Sequence, residues 1–453
     1  MKVRVPRLFK NTPVRCALWV ALCFFVTSAV YLSWFYHLLT LTEDMAADLL
    51  SMGAGYLCQA AGLGLFVWRR ERLPFSWAAL LLAVAAVPAL VSGSLAGTVI
   101  FGLIVNLLCG VVAGHYLFAL AGRVESGRRG LVFGAGYGLS TIAVWLFSLP
   151  GQGSFLRSRF ALPAYLALLG GLALLTPRLD LAGVDEAADK PQPLTDKSLL
   201  LACAAVLLLS LVKNMGFSFP SADLDTGLSV ELSRVFYALG LAAAGLVTDR
   251  SRKHGALCTA AALAIPFIML AVRDEPVSAF VCWSLDYLFY GFFSVFRAVL
   301  FADIAARSHR YALAPLGLLL GRVGDAAGTL LCVALGERKV LLVAATFLLF
   351  LAAVFLFFRL FQTVYEPEAA RQRSEREVFE GFAIQHDLSA REREVLRLVL
   401  AERSNAEIAQ TLFVSESTIK YHMHNLLKKT GCKSRVDLIA HYAAAMYPRL
   451  ERE

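Results

Sequence analysis

Seven ionisable residues sit inside long apolar stretches in the second half of the chain: Lys213, Glu231, Arg234, Asp286, Arg297, Arg322 and Asp325. A charge held in hydrocarbon is costly, so such residues mark a binding site or an ion path unless they neutralise one another. Asp286, Arg322 and Asp325 fall near the midpoints of their stretches, and Lys213 and Arg234 lie toward the ends expected to face outward. Together with Tyr287, Tyr290, Trp283 and Phe217 they would line an outward-opening pocket for a small polar or aromatic anion. The competing reading is structural, because Arg322 and Asp325 are three apart on one helix face and can pair there. Arg297, near the inner end of its stretch, is expected to snorkel. The first half offers mainly Asp48, Gln59, Asn106 and His115.

Other chemistry is poorly supplied. No nucleophile with a base, and no phosphate-cradling loop, is discernible, which argues against an enzyme. The 9 cysteines show no C-x-x-C spacing and read as small buried apolar residues. His422 and His424 are two apart on one helix, so they point apart and make poor joint metal ligands. No metal or cofactor is expected.

These residues must be positioned by membrane helices. The chain has 453 residues, 58% hydrophobic and only 17% charged, where a soluble protein has about a quarter charged. Twelve apolar stretches of roughly 17 to 27 residues, each able to cross about 30 Å of hydrocarbon, lie near 16–39, 45–68, 75–92, 95–121, 130–149, 160–176, 198–219, 228–247, 255–272, 277–300, 311–335 and 339–361. The first is too long for a cleaved signal and lacks a small-residue cleavage pattern. The N-terminus and the loops after even-numbered stretches carry nineteen Lys and Arg, against five after odd-numbered ones. The former therefore face the cytoplasm, and an even count returns the C-terminus there. Most of the formal net charge of +9 is thus topology.

The chain also repeats itself. Slid by about 181 residues, Tyr56 to Arg72 lies over Tyr237 to Lys253, matching Tyr56 with Tyr237, Gly64 with Gly245 and Arg69 with Arg250. The glycines Gly130, Gly134 and Gly138 have counterparts in Gly317, Gly321, Gly324 and Gly328, and small residues four apart let membrane helices approach closely. Two six-helix halves, 1–176 and 198–361, joined by the polar loop 177–197, are the economical reading.

The last 65 or so residues differ in kind. Ser389 with Glu392, and Ser404 with Glu407, are S-x-x-E capping boxes that start two short helices. Ser415 and Ser434 can cap a third and a fourth. Val395, Leu396, Val399, Ile408, Leu412, Ile419, Leu426, Leu427 and Ile439 recur at three- and four-residue spacing as a small shared core. Between this domain, 388–453, and the membrane part, 1–361, lies a charged segment, 362–387, that favours helix, in which 15 helical residues would span about 22 Å.

The stretches L-S-A-R-E-R-E-V-L (Leu388 to Leu396), S-N-A-E-I-A (Ser404 to Ala409) and V-S-E-S-T-I-K-Y-H (Val414 to His422) resemble the four-helix DNA-binding domain of LuxR-type regulators. The resemblance implies that Glu416 to Thr430 lies in the major groove. It implies a DNA-binding set of Lys420, Tyr421 and His424, with Ser415, Ser417, Thr418 and Lys428, in which Thr418 and the helix N-terminus meet phosphate. Glu402 stands where that family has a helix-ending glycine, at a cost of about 1 kcal/mol if the residue is left-handed, and Ala406 stands where a Lys is common. Eleven basic against eight acidic residues over 388–453 make affinity modest and dimerisation necessary.

G-L-V-T-D-R-S-R-K, Gly245 to Lys253, resembles the loop signature of the major facilitator superfamily. Its counterpart after the second stretch has Trp68 in place of the Asp, which weighs against an intact transport cycle. The fold class expected is all-α, a twelve-helix facilitator-like membrane bundle followed by a four-helix helix-turn-helix domain. As a whole the chain resembles membrane-bound LuxR-type transcriptional regulators. That resemblance implies promoter DNA, the lipid bilayer and a small molecule as partners, a homodimer on DNA, and residence in the bacterial cytoplasmic membrane with both termini inside. The rival expectation is a secondary transporter with a DNA-binding tail.

Overall fold

In a computed structural model, the described residues are 12–42, 45–69, 73–148, 155–179, 181, 195–221, 230–261, 276–335 and 338–446. They form helices, and no strand is found among them. The chain divides into two compact units, Met1–Thr363 and Val364–Glu453.

The first unit holds α1 (Thr12–Leu39), α2 (Met45–Arg69), α3 (Phe75–Val91), α4 (Leu95–Arg123), α5 (Arg129–Ser148) and α6 (Ala161–Leu175). After the segment around the polar loop come α7 (Asp196–Ser221), α8 (Val230–Arg250), α9 (Arg252–Ala261), α10 (Pro276–Arg307), α11 (Leu316–Leu335) and α12 (Lys339–Leu360). Nine of these, among the described residues, are long and apolar enough to cross a membrane, and α3 is a shorter apolar helix. Of the expected stretch 255–272, residues 262–272 lie outside the described residues, as does most of the loop 177–197.

Close pairs hold this unit together: α7 with α11, α8 with α10, α2 with α4, and across the halves α5 with α8 and α2 with α11. The two cross-half pairs are equivalent under the sequence repeat, which maps α2 onto α8 and α5 onto α11. Glycine makes the first of them possible. A Cβ on Gly134 would collide with the Leu241 carbonyl, and one on Gly245 with the Gly130 carbonyl. Two glycines of α11 serve a different neighbour, since a Cβ on Gly324 or Gly328 would strike the backbone of α7 at Leu207 or Leu211.

The second unit holds α13 (Glu366–Gln385), α14 (Ala390–Leu400), α15 (Asn405–Thr411), α16 (Glu416–Thr430) and α17 (Arg435–Met446). Both S-x-x-E boxes form with reciprocal bonds at Ser389 and Ser404. Val395, Leu396, Val399, Ile408, Ile419 and Leu426 are buried together, with Leu412, Leu427 and Ile439 packed around them. The segment expected to be a linker contributes more than a spacer. Phe379, Phe382 and Ala383 of α13 join this core, Phe382 meets the Tyr442 ring edge-on at 5.3 Å, and Glu380 pairs with Arg393 at 2.8 Å and Arg397 at 3.1 Å. A helix that reads as charged over its whole length hides its apolar contribution in three residues near its end.

Glu392 ties two ends of the unit together. Its carboxylate accepts from the Ser389 amide at 2.8 Å and from the Lys429 ammonium at 2.8 Å, and Lys429 also reaches the Asp387 carbonyl at 2.7 Å. The start of α14 is thereby fastened to the end of α16. Burial opposes the charge, but the Lys429 ammonium and the Ser389 donors outweigh it and hold the Glu392 carboxyl below its ordinary range.

Glu402 does take the left-handed conformation, with φ 58°, and so does Phe413 with φ 54° in the turn between α15 and α16. The backbone closes normally over Glu402, as the Arg403 amide reaches the Leu398 carbonyl at 3.1 Å. The departure from glycine is thus tolerated without losing the turn.

Two outcomes follow for the unit 364–453. Phe413→Gly should raise its stability by up to about 1 kcal/mol, because glycine removes the positive-φ cost and the Phe413 ring is 95% exposed with little packing to lose; urea unfolding of the two forms measures this. Glu392→Gln should lower stability by roughly 1–2 kcal/mol at neutral pH. Because the folded carboxyl titrates below the unfolded one, near 4.3, its contribution is complete above that value and lost as pH falls through the folded value. Melting followed from pH 7 downward should therefore show an acid loss in the wild type that is smaller in the variant.

Candidate functional site

Helix α16 presents one candidate surface. Ser415 caps it, accepting the Thr418 amide at 3.2 Å, with the Ser417 and Thr418 hydroxyls each 2.7 Å from its own. Ile419, Met423, Leu426 and Thr430 are buried at spacings of four, three and four, so one face of the helix is committed to the core. Ser417, Lys420, Tyr421, His424 and Lys428 lie exposed on the other side. The face therefore gathers the residues that the sequence marked for DNA. A helix N-terminus bearing hydroxyls favours an anion through its dipole and amides, and the exposed side chains beyond it offer cationic and aromatic groups. Lys420 pairs with Glu416 at 3.1 Å, both well exposed. Such a pair is worth about 0.3–0.5 kcal/mol, so a phosphate can readily displace it.

The membrane unit holds a second site. Asp325 of α11, 1% exposed, is the focus of three cations: Lys213 of α7 at 3.1 Å, Arg322 at 3.3 Å and Arg297 of α10 at 3.9 Å. Three helices are thus drawn to one carboxylate. Asn214 adds a bond to the Asp325 carbonyl at 2.6 Å and to Thr329 at 2.7 Å. The expected snorkelling of Arg297 does not occur. Its side chain is 4% exposed, above the Phe293 ring and within reach of Asp325, because the carboxylate and the ring provide inside the bundle what water would provide at the surface. Asp286 is buried on α10 with Oδ1 unbonded. The side chains of Arg234, Glu231, Phe217, Trp283 and Asp48 lie outside the described residues.

Beside this cluster lies a cavity of about 290 Å³. Arg322, Tyr287 and Tyr290 border it as the sequence suggested, but Lys213, Asp286 and Asp325 stand behind the wall. Tyr31, Tyr56, Tyr116, Tyr137 and Tyr237 complete an aromatic lining that the ionisable residues alone did not foretell. Tyr237 stacks on Tyr290 at 4.9 Å and meets Tyr137 edge-on at 5.4 Å. Arg322 lies 5.1 Å above the Tyr56 ring. The signal that could have found this lining was the repeat, since its matched tyrosines, Tyr56 and Tyr237, both face the cavity. Of the first-half polar residues, Gln59 reaches the wall and bonds Asn106 at 2.7 Å, whereas His115 bonds the Leu73 carbonyl at 2.9 Å and serves packing.

A third cluster uses the loop signature. Asp249 accepts the amides of Gly130 at 2.8 Å and Leu131 at 2.7 Å, in the first turn of α5. Arg252 pairs with Asp249 at 3.0 Å and with Asp303 at 2.7 Å, and Arg129 binds Asp303 at 2.7 Å. This latch joins the two halves once. At the repeat-related position stands Trp68, 72% exposed, with Arg69 stacked over its ring at 4.1 Å.

Residues 386–442 match the model of the luxR family of bacterial regulatory proteins. Over this region the chain is 44% identical across 48 residues to the spore germination protein GerE of Bacillus subtilis, which is 11% of this chain and 65% of that protein. It is 43% identical across 53 residues to the CsgBAC operon transcriptional regulatory protein of Escherichia coli, 12% of this chain and 24% of that one. Against the nitrate/nitrite response regulator NarL of Escherichia coli it is 39% identical across 69 residues, 15% and 29% of the two chains. The chain thus spans from about a quarter to 65% of the length of these curated relatives. Among solved structures, the proton:xylose symporter XylE is similar with TM-score 0.54 and 14% identity, over 79% of this chain and 96% of that one. The facilitator transporter FucP in its outward conformation gives 0.55 and 12%, over 78% and 99%. The segment 386–442 is therefore a helix-turn-helix domain of the luxR family, carried in one chain with a multi-pass membrane unit of the major facilitator fold.

Proposed function

We propose that this protein is a one-component transcriptional regulator of a bacterial cytoplasmic membrane, in which a small molecule bound by the membrane unit controls promoter binding by α16. The observation that carries this reading is the pairing of an uncommitted luxR-type recognition face with a facilitator-type cavity in a single polypeptide. Lys420, Tyr421 and His424 read base edges, Ser415, Ser417 and Thr418 hold phosphate at the helix start, and Lys428 adds a backbone contact. A modest positive charge on the unit supports binding as a homodimer to paired half-sites. Switching draws on the difference in ligand affinity between two states of the membrane unit. The chemistry is binding rather than catalysis, in keeping with relatives that are regulators and fold neighbours that are transporters.

A second reading, a secondary transporter with a regulatory tail, is favoured by the intact Asp249–Arg252–Asp303 latch. Against it stands Trp68 in the repeat-related position. Substrate accumulation in protein-loaded vesicles would decide for the transporter.

For DNA, Lys420→Ala should weaken binding of a selected operator and reduce the slope of log affinity against log salt by about 1. Tyr421→Ala and His424→Ala should instead change which operator is preferred, as read by selection from a randomised pool. Unchanged isotherms and preferences in all three variants would remove α16 from the groove. Reporter fusions at both ends should report the cytoplasm, as the loop charges require, and an external C-terminus would end the regulator reading.

A further inference from the structure

Resting on the reading of the cavity as the sensing site, we infer that its ligand is a small planar aromatic monocarboxylate. Three features of the wall converge on that class. The first is charge. Arg322 is the one charged side chain bordering the cavity among the described residues. Its carboxylate contact among the described residues, Asp325, is already shared with Lys213 and Arg297. Among the described residues, and with buried Asp286 counted, three cations face two carboxylates beside the cavity. In a medium of low dielectric, an anion is the occupant that relieves this excess. One bordering guanidinium matches one carboxylate, which it can grip through two parallel bonds. A phosphate ester would carry more charge than this wall compensates.

The second feature is the ring lining. Tyr56, Tyr137, Tyr237 and Tyr290 come from both halves and give a flat guest aromatic surfaces on more than one side. Aromatic rings favour offset or edge-on neighbours, and these tyrosines already adopt such arrangements with one another. The volume, about 290 Å³, equals that of about ten water molecules, enough for one ring with a short acidic arm or two fused rings.

The third is an unmatched polar pair. Nε of Arg322 and Oγ of Ser140 are buried without hydrogen-bond partners, and both residues border the cavity. Ser140 lies on α5 and Arg322 on α11, the two helices related by the repeat. A carboxylate satisfies the first, and a ring hydroxyl at the far end of the molecule satisfies the second. The ligand carboxylate competes with Asp325 for Arg322, so binding redistributes the contacts that join α7, α10 and α11.

The test uses the full chain in lipid nanodiscs and calorimetric titration with 4-hydroxycinnamate. It is compared with the neutral 4-hydroxycinnamamide, the cation tyramine and the non-aromatic 3-cyclohexylpropionate. The acid should bind saturably, with each comparison compound at least tenfold weaker. Arg322→Gln should weaken the acid at least tenfold, Arg322→Lys less, and Ser140→Ala should weaken 4-hydroxycinnamate while leaving unsubstituted cinnamate unchanged. Each variant is first shown to be monodisperse and to bind operator DNA, and the four-compound comparison on the wild type stands whether or not a variant folds. Absence of acid binding, equal binding of the amide or of tyramine, or an unchanged isotherm in Arg322→Gln overturns the assignment. Acid that binds as expected without altering promoter output leaves the ligand class standing and removes the sensing reading. A promoter response to a non-aromatic or cationic compound that is independent of Arg322 does the reverse.

Discussion

Burying charge in an apolar bundle is possible only where the charges find one another, and in the membrane unit they find Asp325. Lys213, Arg297 and Arg322 approach it from α7, α10 and α11. Removing one member of such a cluster leaves the others uncompensated at a cost of about 3–5 kcal/mol, so the cluster fixes how these helices meet. It also fixes what the cavity offers, because Arg322, which borders it, is paired with Asp325. The α11 glycines support the arrangement by letting the backbone of α7 come close enough for Lys213 to arrive. Packing, electrostatics and the chemistry of the cavity are thus one constraint.

Carboxylates that answer several donors recur at the other junctions of the chain. Asp249 closes the amides of α5 while holding Arg252, and Asp303 bridges Arg129 and Arg252. In the second unit Glu392 starts α14 and holds the end of α16 through Lys429. Each of these contacts fixes one helix relative to another at a single point, leaving the remaining surfaces free for apolar packing. The recognition face of α16 benefits directly, since its orientation against the core is fixed both by Ile419, Met423 and Leu426 and by the Glu392 anchor.

Local signals carried much of this into the sequence. Capping boxes at Ser389 and Ser404, helical periodicity around Ile419 and the loop charge asymmetry are properties of neighbouring residues, and the structure forms the boxes and brings the expected apolar set into one core, six residues buried and three partly buried. Partners distant in sequence were harder to read. Arg297 appeared close to an interface when judged by its place in its own stretch, yet its position is decided by Asp325, 28 residues away on another helix. Phe379 and Phe382 were hidden by the charges around them. The tyrosine lining escaped because aromatic residues are common in membrane helices and only their convergence in space distinguishes them; the repeat pairing of Tyr56 with Tyr237 was the one visible trace. The side chain of Arg234 lies outside the described residues, so its place in the charged site is an expectation from sequence alone.

The central claim is that occupancy of the membrane unit governs DNA binding by the other. It is tested most directly by measuring operator affinity of the full chain in nanodiscs, with and without a saturating ligand of the cavity, beside the fragment 364–453 treated identically. A shift of at least tenfold is expected in the full chain, about 1.4 kcal/mol of coupling, and none in the fragment. An equal affinity in the full chain with and without ligand, or the same shift in the fragment, would contradict it.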